Sequence, residues 1–583
     1  MKKIFKSLEF YCIIGLLLCI GLFNFGQVRI ENVVLHQDSG DSKISLPYSV
    51  EMEAKKHFNI GFDVSNPLNI RYDLNIIPDD CADFIVINGK DISLSDNPKK
   101  CSYSKGFWLQ DSITSPYRVG KTTHYEIALR NKSGKAGLNV LYKSNSPFLL
   151  ILKLLMPLLA GLLTIAIARR FKINKFLLLC ILVGIFLRFA MFYSLPYTQF
   201  TMDVDGHVAY IQYIVENHSI PAADDCWTCY HPPVYYTSAA IPFWLGSITS
   251  IGSCSSVQAF SLALSVFLLV CGLLLLKEII SGAPLGVAAI LWTVWPTLIL
   301  VAPRIGNDQL FYAFHVLALL AGFNYIKKGF GKYLIIAVAC AGLAMWTKST
   351  GCVTIGLTIL FTLIGFVKTN KLHRPTKTEI ISWSLLFLIF AGIILEKFIG
   401  DNNLVGNIQS LNSHLIVGNE AKNYLFFDLK TFLTEPYTNA WDDELGRQYF
   451  LNYAFKTALF GEFKLVTTAF GKTIATIISL SFLGLLIYAI RGWWKTKLDV
   501  YHWILFIQGA VFFAALVFLR IKHPYSCSND FRYILPVLLS FIPYVGLGIF
   551  QEDYSLKWKV TGTIVLIVFA TCSVLLSGAI FLG

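Results

Sequence analysis

Runs of apolar residues long enough to cross a bilayer recur along most of this chain, and they limit what it can become. A helical span needs about 20 mainly apolar residues, because backbone amides in hydrocarbon must find partners within their own segment. "PFLLILKLLMPLLAGLLTIAIA" and "FLLLCILVGIFLRFAMFYSL" both meet that length. Of 583 residues, 55% are hydrophobic and 15% charged, where a soluble chain carries charge on roughly a quarter. The expected fold class is a polytopic α-helical membrane protein of about 13 transmembrane helices. The net charge of +13 does not call for nucleic acid as a partner, because the basic residues cluster in short connectors between apolar runs, as cytoplasmic anchors do.

Those connectors predict sidedness. "MKKIFKSLEFYCIIGLLLCIGLFNFG" has a basic start and an apolar centre but no small-x-small cleavage site. It reads as an uncleaved first transmembrane helix over 1–26 with a cytoplasmic amino end. "RRFKINK" carries four positive charges and no negative one and belongs inside, with "YIKKGFGKY", "KTNKLHRPTK" and "RGWWKTK". "APRIGNDQ", "SIGSCSSVQ" and "HPYSCSNDFRY" then lie outside, as do the carboxyl end and the long loops 195–255 and 398–466. Between two outer stretches sits "VYYTSAAIPFWLGSITSI", with a central proline, two tyrosines and a tryptophan. It suits an interfacial helix better than a span. The expected location is the inner (plasma) membrane, multi-pass, with membrane lipid as a partner.

Residues 27–147 break the apolar pattern. "YDLNIIP", "DFIVING", "HYEIALR" and "GLNVLY" alternate with a period of two, and turn dipeptides Asn88-Gly89 and Ser133-Gly134 separate some of them. This predicts an extracytoplasmic β-sandwich, jelly-roll-like, ahead of a multi-span domain over 148–583. It would bind sugar or pack on the membrane domain. In an oxidising compartment Cys81 and Cys101 are expected to form a disulfide.

Reactive side chains gather in the outer loops. Asp203, Asp205 and His207 come first, then Cys226, Cys229 and His231 with two prolines, then Arg304, Asn307 and Asp308, and later Asp530 and Arg532. Transporters place such groups in broken helices at the bilayer midplane. Here they collect at one face, which favours a reaction at the water–lipid boundary. Each has a plain alternative. Asp205 suits a helix N-cap, as does Asp308; Lys348 could snorkel; Arg532 could anchor the interface; His231 could simply orient its turn. A CxxC outside the membrane is more often a disulfide than half a zinc site. No nucleotide is expected outside a bacterial inner membrane, and no P-loop or GxGxxG is present, so a group donor there must be lipid-linked. Transfer from a polyprenyl-phosphate sugar needs a carboxylate base, cations for the phosphate and a groove for the prenyl chain.

At these residues a resemblance appears. "DVDGHVAYIQYIVENHSIP…YHPPVYY" resembles the first outer loop of the C-superfamily membrane glycosyltransferases, which include protein O-mannosyltransferases and the lipid A aminoarabinose transferase. "RIGNDQLFYAF" resembles their second acidic position, "GLAMWTKSTG" their lysine-bearing turn and "DFRYILP" their late Arg-Tyr motif. The resemblance runs from about residue 174 to the end; the soluble domain departs from it by coming first. It implies a C-superfamily core with juxtamembrane helices and an inverting transferase, for a hexose or pentose, with a polyprenyl-phosphate-linked sugar donor. The acceptor would be lipid, glycan or protein. Asp203 would be the base, with Asp205 as alternative and Asp308 holding the acceptor or a cation. Arg304, Lys348 and Arg532 would hold the phosphate, with His207, His231 and Tyr533 lining the site. Tyr437 or Trp441 would stack on the sugar. No residue is assigned to a metal, and a divalent cation is the cofactor left open. The rival readings are a non-catalytic lipid or glycan transporter and a glycan-assembly subunit.

Overall fold

The computed structural model describes residues 8–37, 40–44, 46, 48–53, 55–78, 81–92, 113–119, 122–131, 135–144, 146–171, 173–197, 203–226, 228–249, 252–329, 331–368, 377–399, 415–440, 443–462, 466, 468–497, 499–551 and 553–582. They form two compact units.

The first unit contains the helices Leu8–Phe25 and Pro147–Phe171 and, between them, ten strands. These are β1 (Arg29–Gln37), β2 (Gly40–Lys43), β3 (Tyr48–Glu51), β4 (His57–Ser65), β5 (Tyr72–Pro78), β6 (Cys81–Ile87), β7 (Lys90–Ile92), β8 (Ile113–Val119), β9 (Thr123–Arg130) and β10 (Lys135–Lys143). They build a six-stranded sheet in the order β2-β1-β4-β9-β6-β7 and a four-stranded sheet in the order β3-β10-β5-β8. All pairings are antiparallel. Alternation decides which face is buried. Phe58, Ile60, Phe62 and Val64 of β4 and Tyr125, Ile127 and Leu129 of β9 turn inward. They share one core with Leu74 and Ile76 of β5 and Leu138 and Val140 of β10. The result is the expected sandwich. Asn88 and Gly89 both take positive φ (49° and 77°) and join β6 to β7 with Ile87 paired to Lys90, the hairpin geometry that an Asn-Gly pair favours.

Asn66 ties the first helix to this sandwich. Its amide donates to the carbonyls of Gly26 (2.6 Å) and Gln27 (3.0 Å), and its oxygen accepts from the Ile70 amide at 2.9 Å. The Tyr72 hydroxyl also donates to the Gly26 carbonyl, at 2.7 Å. Cys81 is buried and disulfide-bonded; Cys101 lies outside the described residues, as does the Ser133-Gly134 turn.

The second unit is helical. Among the described residues of the chain, eight helices are long and apolar enough to cross a membrane, and four more apolar helices are shorter. The protein is a multi-pass membrane protein. Several apolar runs bend or stop early; Gly282–Val294 ends just before Pro296. The most enclosed span is Asp308–Lys328, 83% buried. The segment Val234–Ile248 is a helix of 15 residues containing Pro242, below the length of a span. Trp295 and Thr297 bind the helix Phe450–Phe460 to the bundle by donating to the Ala458 carbonyl, each at 2.7 Å.

Phe62 is fully buried and stacks on Tyr125 with ring centroids 5.4 Å apart. Phe62→Ala should cost the sandwich about 3–5 kcal/mol. Hydrogen exchange in β4 and β9 would register it as lost protection there, with helix Asp308–Lys328 unchanged. Unaltered protection in both strands would refute this account of the core.

Candidate active site

The helix Val204–Asn217 begins at Asp203, whose backbone is left-handed (φ 56°, ψ 11°). That conformation is uncommon for any residue with a side chain and is tolerated best by Gly, Asn and Asp. Its carbonyl accepts the first helical bond, from the His207 amide at 3.0 Å. Its carboxylate caps nothing. Instead, Oδ2 faces two guanidinium groups, Arg304 and Arg532, each at 3.7 Å. Asp205, suggested as the cap, is exposed in the first helical turn and makes no ion pair among the described residues. The sequence places the two acids two residues apart; the backbone turn at Asp203 sends only one of them to the cations.

Asp308 opens the helix Asp308–Lys328 and is buried. One oxygen accepts a hydrogen bond from the Lys348 ammonium. The other lies 3.9 Å from Arg304 and 3.8 Å from Arg532. Lys348 follows the helix Gly331–Met345, so both ends of this helix pair meet here. Arg532 also pairs with Asp530 (3.1 Å), whose other oxygen accepts from the Arg532 backbone amide at 2.9 Å. Tyr533 presents its ring to Lys348 (4.8 Å) and to Arg532 (5.0 Å). Its hydroxyl accepts from the Arg532 guanidinium at 3.3 Å. Three carboxylates thus face three cations. Asp308, Asp530, Arg304, Lys348 and Arg532 have side chains at most 9% exposed, whereas Asp203 is 45% exposed. Asp203 is the member open to a reactant.

One wall comes from the His-Pro-Pro turn. Cys226 and Cys229 form a disulfide, and the His231 amide then bonds the Thr228 carbonyl at 3.0 Å. The Val234 amide bonds the Trp346 carbonyl at 3.0 Å, which fastens the turn beside Lys348. The Tyr230 ring lies 4.2 Å from His231. Tyr235 accepts from the Gly306 amide at 2.9 Å, between Arg304 and Asp308. His207 is buried with Nδ1 2.8 Å from the Tyr236 hydroxyl, so it braces the wall from behind. Burial, reinforced by Lys348, pushes the His231 imidazole down to about 4, against the opposing pull of Asp203 and Asp308. It is neutral at physiological pH.

Tyr437, expected with Trp441 to stack on the sugar, is buried, packed edge-on against Phe460 (5.4 Å), and its hydroxyl donates to the Gly471 carbonyl at 3.1 Å. Trp441 lies outside the described residues. The sequence reading gave no role to Asp530 and overlooked Glu462. Glu462 is buried, follows Gly461 (φ 66°) at the end of helix Phe450–Phe460, and accepts a hydrogen bond from Tyr453. The available signal was weak: a glycine helix stop followed by an acid. The Phe531 amide bonds Thr457 at 2.9 Å, which ties this helix to the Asp530–Arg532 segment. Among the described residues no group of three or more His, Cys, Asp or Glu is arranged to hold a metal ion.

Burial first, then the charge of Asp530, pushes the Glu462 carboxyl up to about 8, while its bond from Tyr453 acts the other way. In an unfolded chain it titrates near about 4.3. Between these values the unfolded chain releases a proton that the folded one keeps. Its contribution to stability is therefore full below about pH 4.3 and is lost as pH rises through 8. His231 has the opposite sense, confined to the interval below about pH 6.5. Glu462→Gln retains a neutral side chain of the same shape and should flatten the fall in thermal stability between about pH 6.5 and 8. Parallel slopes for variant and parent would show that Glu462 is ionised in the folded protein.

Residues 231–395 match the family model described as dolichyl-phosphate-mannose-protein mannosyltransferase. That segment holds His231, Arg304, Asp308 and Lys348 and leaves Asp203, Asp530 and Arg532 outside it. No curated protein matches the chain. Among solved structures it is similar to the Archaeoglobus fulgidus oligosaccharyltransferase in the apo form, at 12% identity over 70% of this chain and 55% of that one, with a TM-score of 0.40. It is also similar to AglB from the same organism in complex with an inhibitory peptide and a dolichol-phosphate, at 14% identity, the same coverages and a TM-score of 0.36. A third similarity is to ArnT from Cupriavidus metallidurans in the apo state, at 10% identity over 62% of this chain and 75% of that one, with a TM-score of 0.30. The chain spans about half the length of the archaeal structures. The stretch from the His-Pro-Pro turn to beyond Lys348 is thus similar to the mannosyltransferase family whose superfamily the motifs resemble.

Proposed function

We propose that this protein is an inverting glycosyltransferase that moves a sugar from a polyprenyl-phosphate carrier to an acceptor at the extracytoplasmic face of the membrane. The observation that carries this reading is the open carboxylate of Asp203, 3.7 Å from two buried guanidinium groups at the helix ends. The match of residues 231–395 to a dolichyl-phosphate-dependent family supports it.

The chemistry is a single displacement. The acceptor hydroxyl attacks the anomeric carbon from the side opposite the phosphate. The new C–O bond forms as the bond from carbon to phosphate oxygen breaks, so configuration inverts. A sugar hydroxyl is far less acidic than a carboxylic acid, so its proton passes to Asp203 only as that bonding changes. The polyprenyl phosphate leaves with the bonding electron pair, and Arg532, Arg304 and Lys348 stabilise its charge. Neutral His231 and Tyr533 contact the sugar. The carrier's prenyl chain stays among the spans.

Asp203→Asn keeps the size of the side chain and its tolerance of the left-handed backbone, but it cannot accept the proton. Transfer by purified protein supplied with a polyprenyl-phosphate-linked sugar should fall by about 100- to 10,000-fold, with donor affinity nearly unchanged. Arg532→Ala should mainly raise the donor KM. Full transfer by Asp203→Asn would remove Asp203 as base and turn attention to Asp205 and Asp308.

Sidedness is tested separately. A cysteine at Ser219, exposed in the segment after helix Val204–Asn217, should react with a membrane-impermeant thiol reagent added to intact cells. The background would lack the free cysteines. Labelling only after the cells are opened would place the site on the cytoplasmic side and exclude this orientation.

A further inference from the structure

On the six-stranded sheet, far in sequence from the residues above, two histidines lean over one glycine. Gly61 lies mid-strand in β4, paired with Val34 of β1 and Glu126 of β9. Its neighbours Ile60 and Phe62 are fully buried, so by alternation position 61 faces away from the core. A Cβ at Gly61 would stand 3.2 Å from His36 Nε2 and 3.9 Å from His124 Cε1. His36 belongs to β1 and His124 to β9, the strands on either side of β4. The two rings therefore converge from opposite sides over a position with no side chain.

Both rings are held from behind. His36 Nδ1 lies 2.7 Å from Asp41 Oδ1, and His124 Nδ1 lies 2.8 Å from Asp63 Oδ1. The second oxygen of Asp63 accepts from the Asn32 amide at 2.7 Å. A carboxylate that takes the Nδ1–H of an imidazole fixes the ring and leaves Nε2 as the lone-pair donor, the arrangement found behind metal-bound histidines. With side-chain exposures of 40% and 55%, both rings are within reach of dissolved ions. An isolated surface His–Asp pair contributes little and needs no ligand to explain it. Two such pairs turned toward the same bare backbone position form a cradle.

We propose that His36 and His124 form a two-histidine site for a divalent first-row ion of the zinc or copper class. Imidazole nitrogen suits these ions, and water would complete the coordination. Two protein ligands make an open, exchangeable site, distinct from a closed structural one with four. The inference does not depend on the proposed transferase activity.

The test is calorimetric titration of the purified full-length protein with Zn²⁺ and, separately, Cu²⁺. The parent should take up about one more equivalent than the His36→Ala/His124→Ala double variant, in which exposed side chains are lost and the core is untouched. Asp41→Asn and Asp63→Asn should each weaken that uptake by about 10- to 100-fold, since they remove only the group behind the ring. Gly61→Val should abolish it by filling the cradle, and its β-branched side chain suits a strand; thermal unfolding would check the fold. Equal uptake by the parent and the double variant would overturn the proposal. So would absence of uptake by the parent, or full-strength binding by a normally folded Gly61→Val.

Discussion

The buried contact between Asp308 and Lys348 is the interaction on which the rest of the helical unit depends. An isolated charge next to hydrocarbon carries a desolvation penalty of several kcal/mol. It persists only with a partner of opposite sign at short range. Asp308 has that partner from the turn after helix Gly331–Met345 and further cations in Arg304 and Arg532. Arg532 in turn is matched by Asp530. With the half-exposed Asp203 the acids and cations number three each, and that balance lets the other five charged side chains lie buried together. The neutralisation also fixes geometry, because removing one member leaves its opposite uncompensated. Asp203 is held by the field of this set while staying open to solvent.

Position follows from the same economy of partners. Helices in a bilayer gain little from apolar contact with each other, since lipid is as apolar as leucine. Polar contacts then decide their register. Trp295 and Thr297 donate to one carbonyl of helix Phe450–Phe460, and Thr457 of that helix accepts from Phe531. Through these bonds the segment carrying Asp530 and Arg532 is keyed to the bundle core. The His-Pro-Pro turn is keyed by the bond from Val234 to Trp346. The wall of the site and its charged floor are thus located by backbone groups as much as by side chains.

What the sequence reveals, and where it falls silent, follows from range. The Asn88-Gly89 hairpin and the alternation in β4 and β9 are local, so they are legible. The CxxC disulfide at Cys226 and Cys229 is equally local. The residues Asp203, Arg304, Asp308, Lys348 and Arg532 could be picked out because ionisable groups stand out among apolar runs. Their convergence could not be read from spacing. Nor could the left-handed turn that separates the fate of Asp203 from that of Asp205. Nor could the burial of Tyr437, because a tyrosine in a long polar loop looks exposed and only tertiary contact shows it packed on Phe460. Glu462 was overlooked because a buried acid is defined by what surrounds it, here Tyr453 and the Asp530 segment.

The spacing of these partners along the chain has a consequence for biosynthesis. Asp308 and Lys348 are 40 residues apart and can pair soon after both emerge. Tyr312 and the Arg532 segment it binds are separated by 220 residues. At about 5–20 residues per second, a ribosome needs roughly 10–45 s to cover that interval. Throughout it Asp203 and Asp308 have only Arg304 and Lys348 opposite them, and these groups must be kept wet or shielded by whatever accompanies insertion. The segment carrying Asp530 and Arg532 does more than add a span: it closes the ion set, which stays incomplete until that segment has emerged.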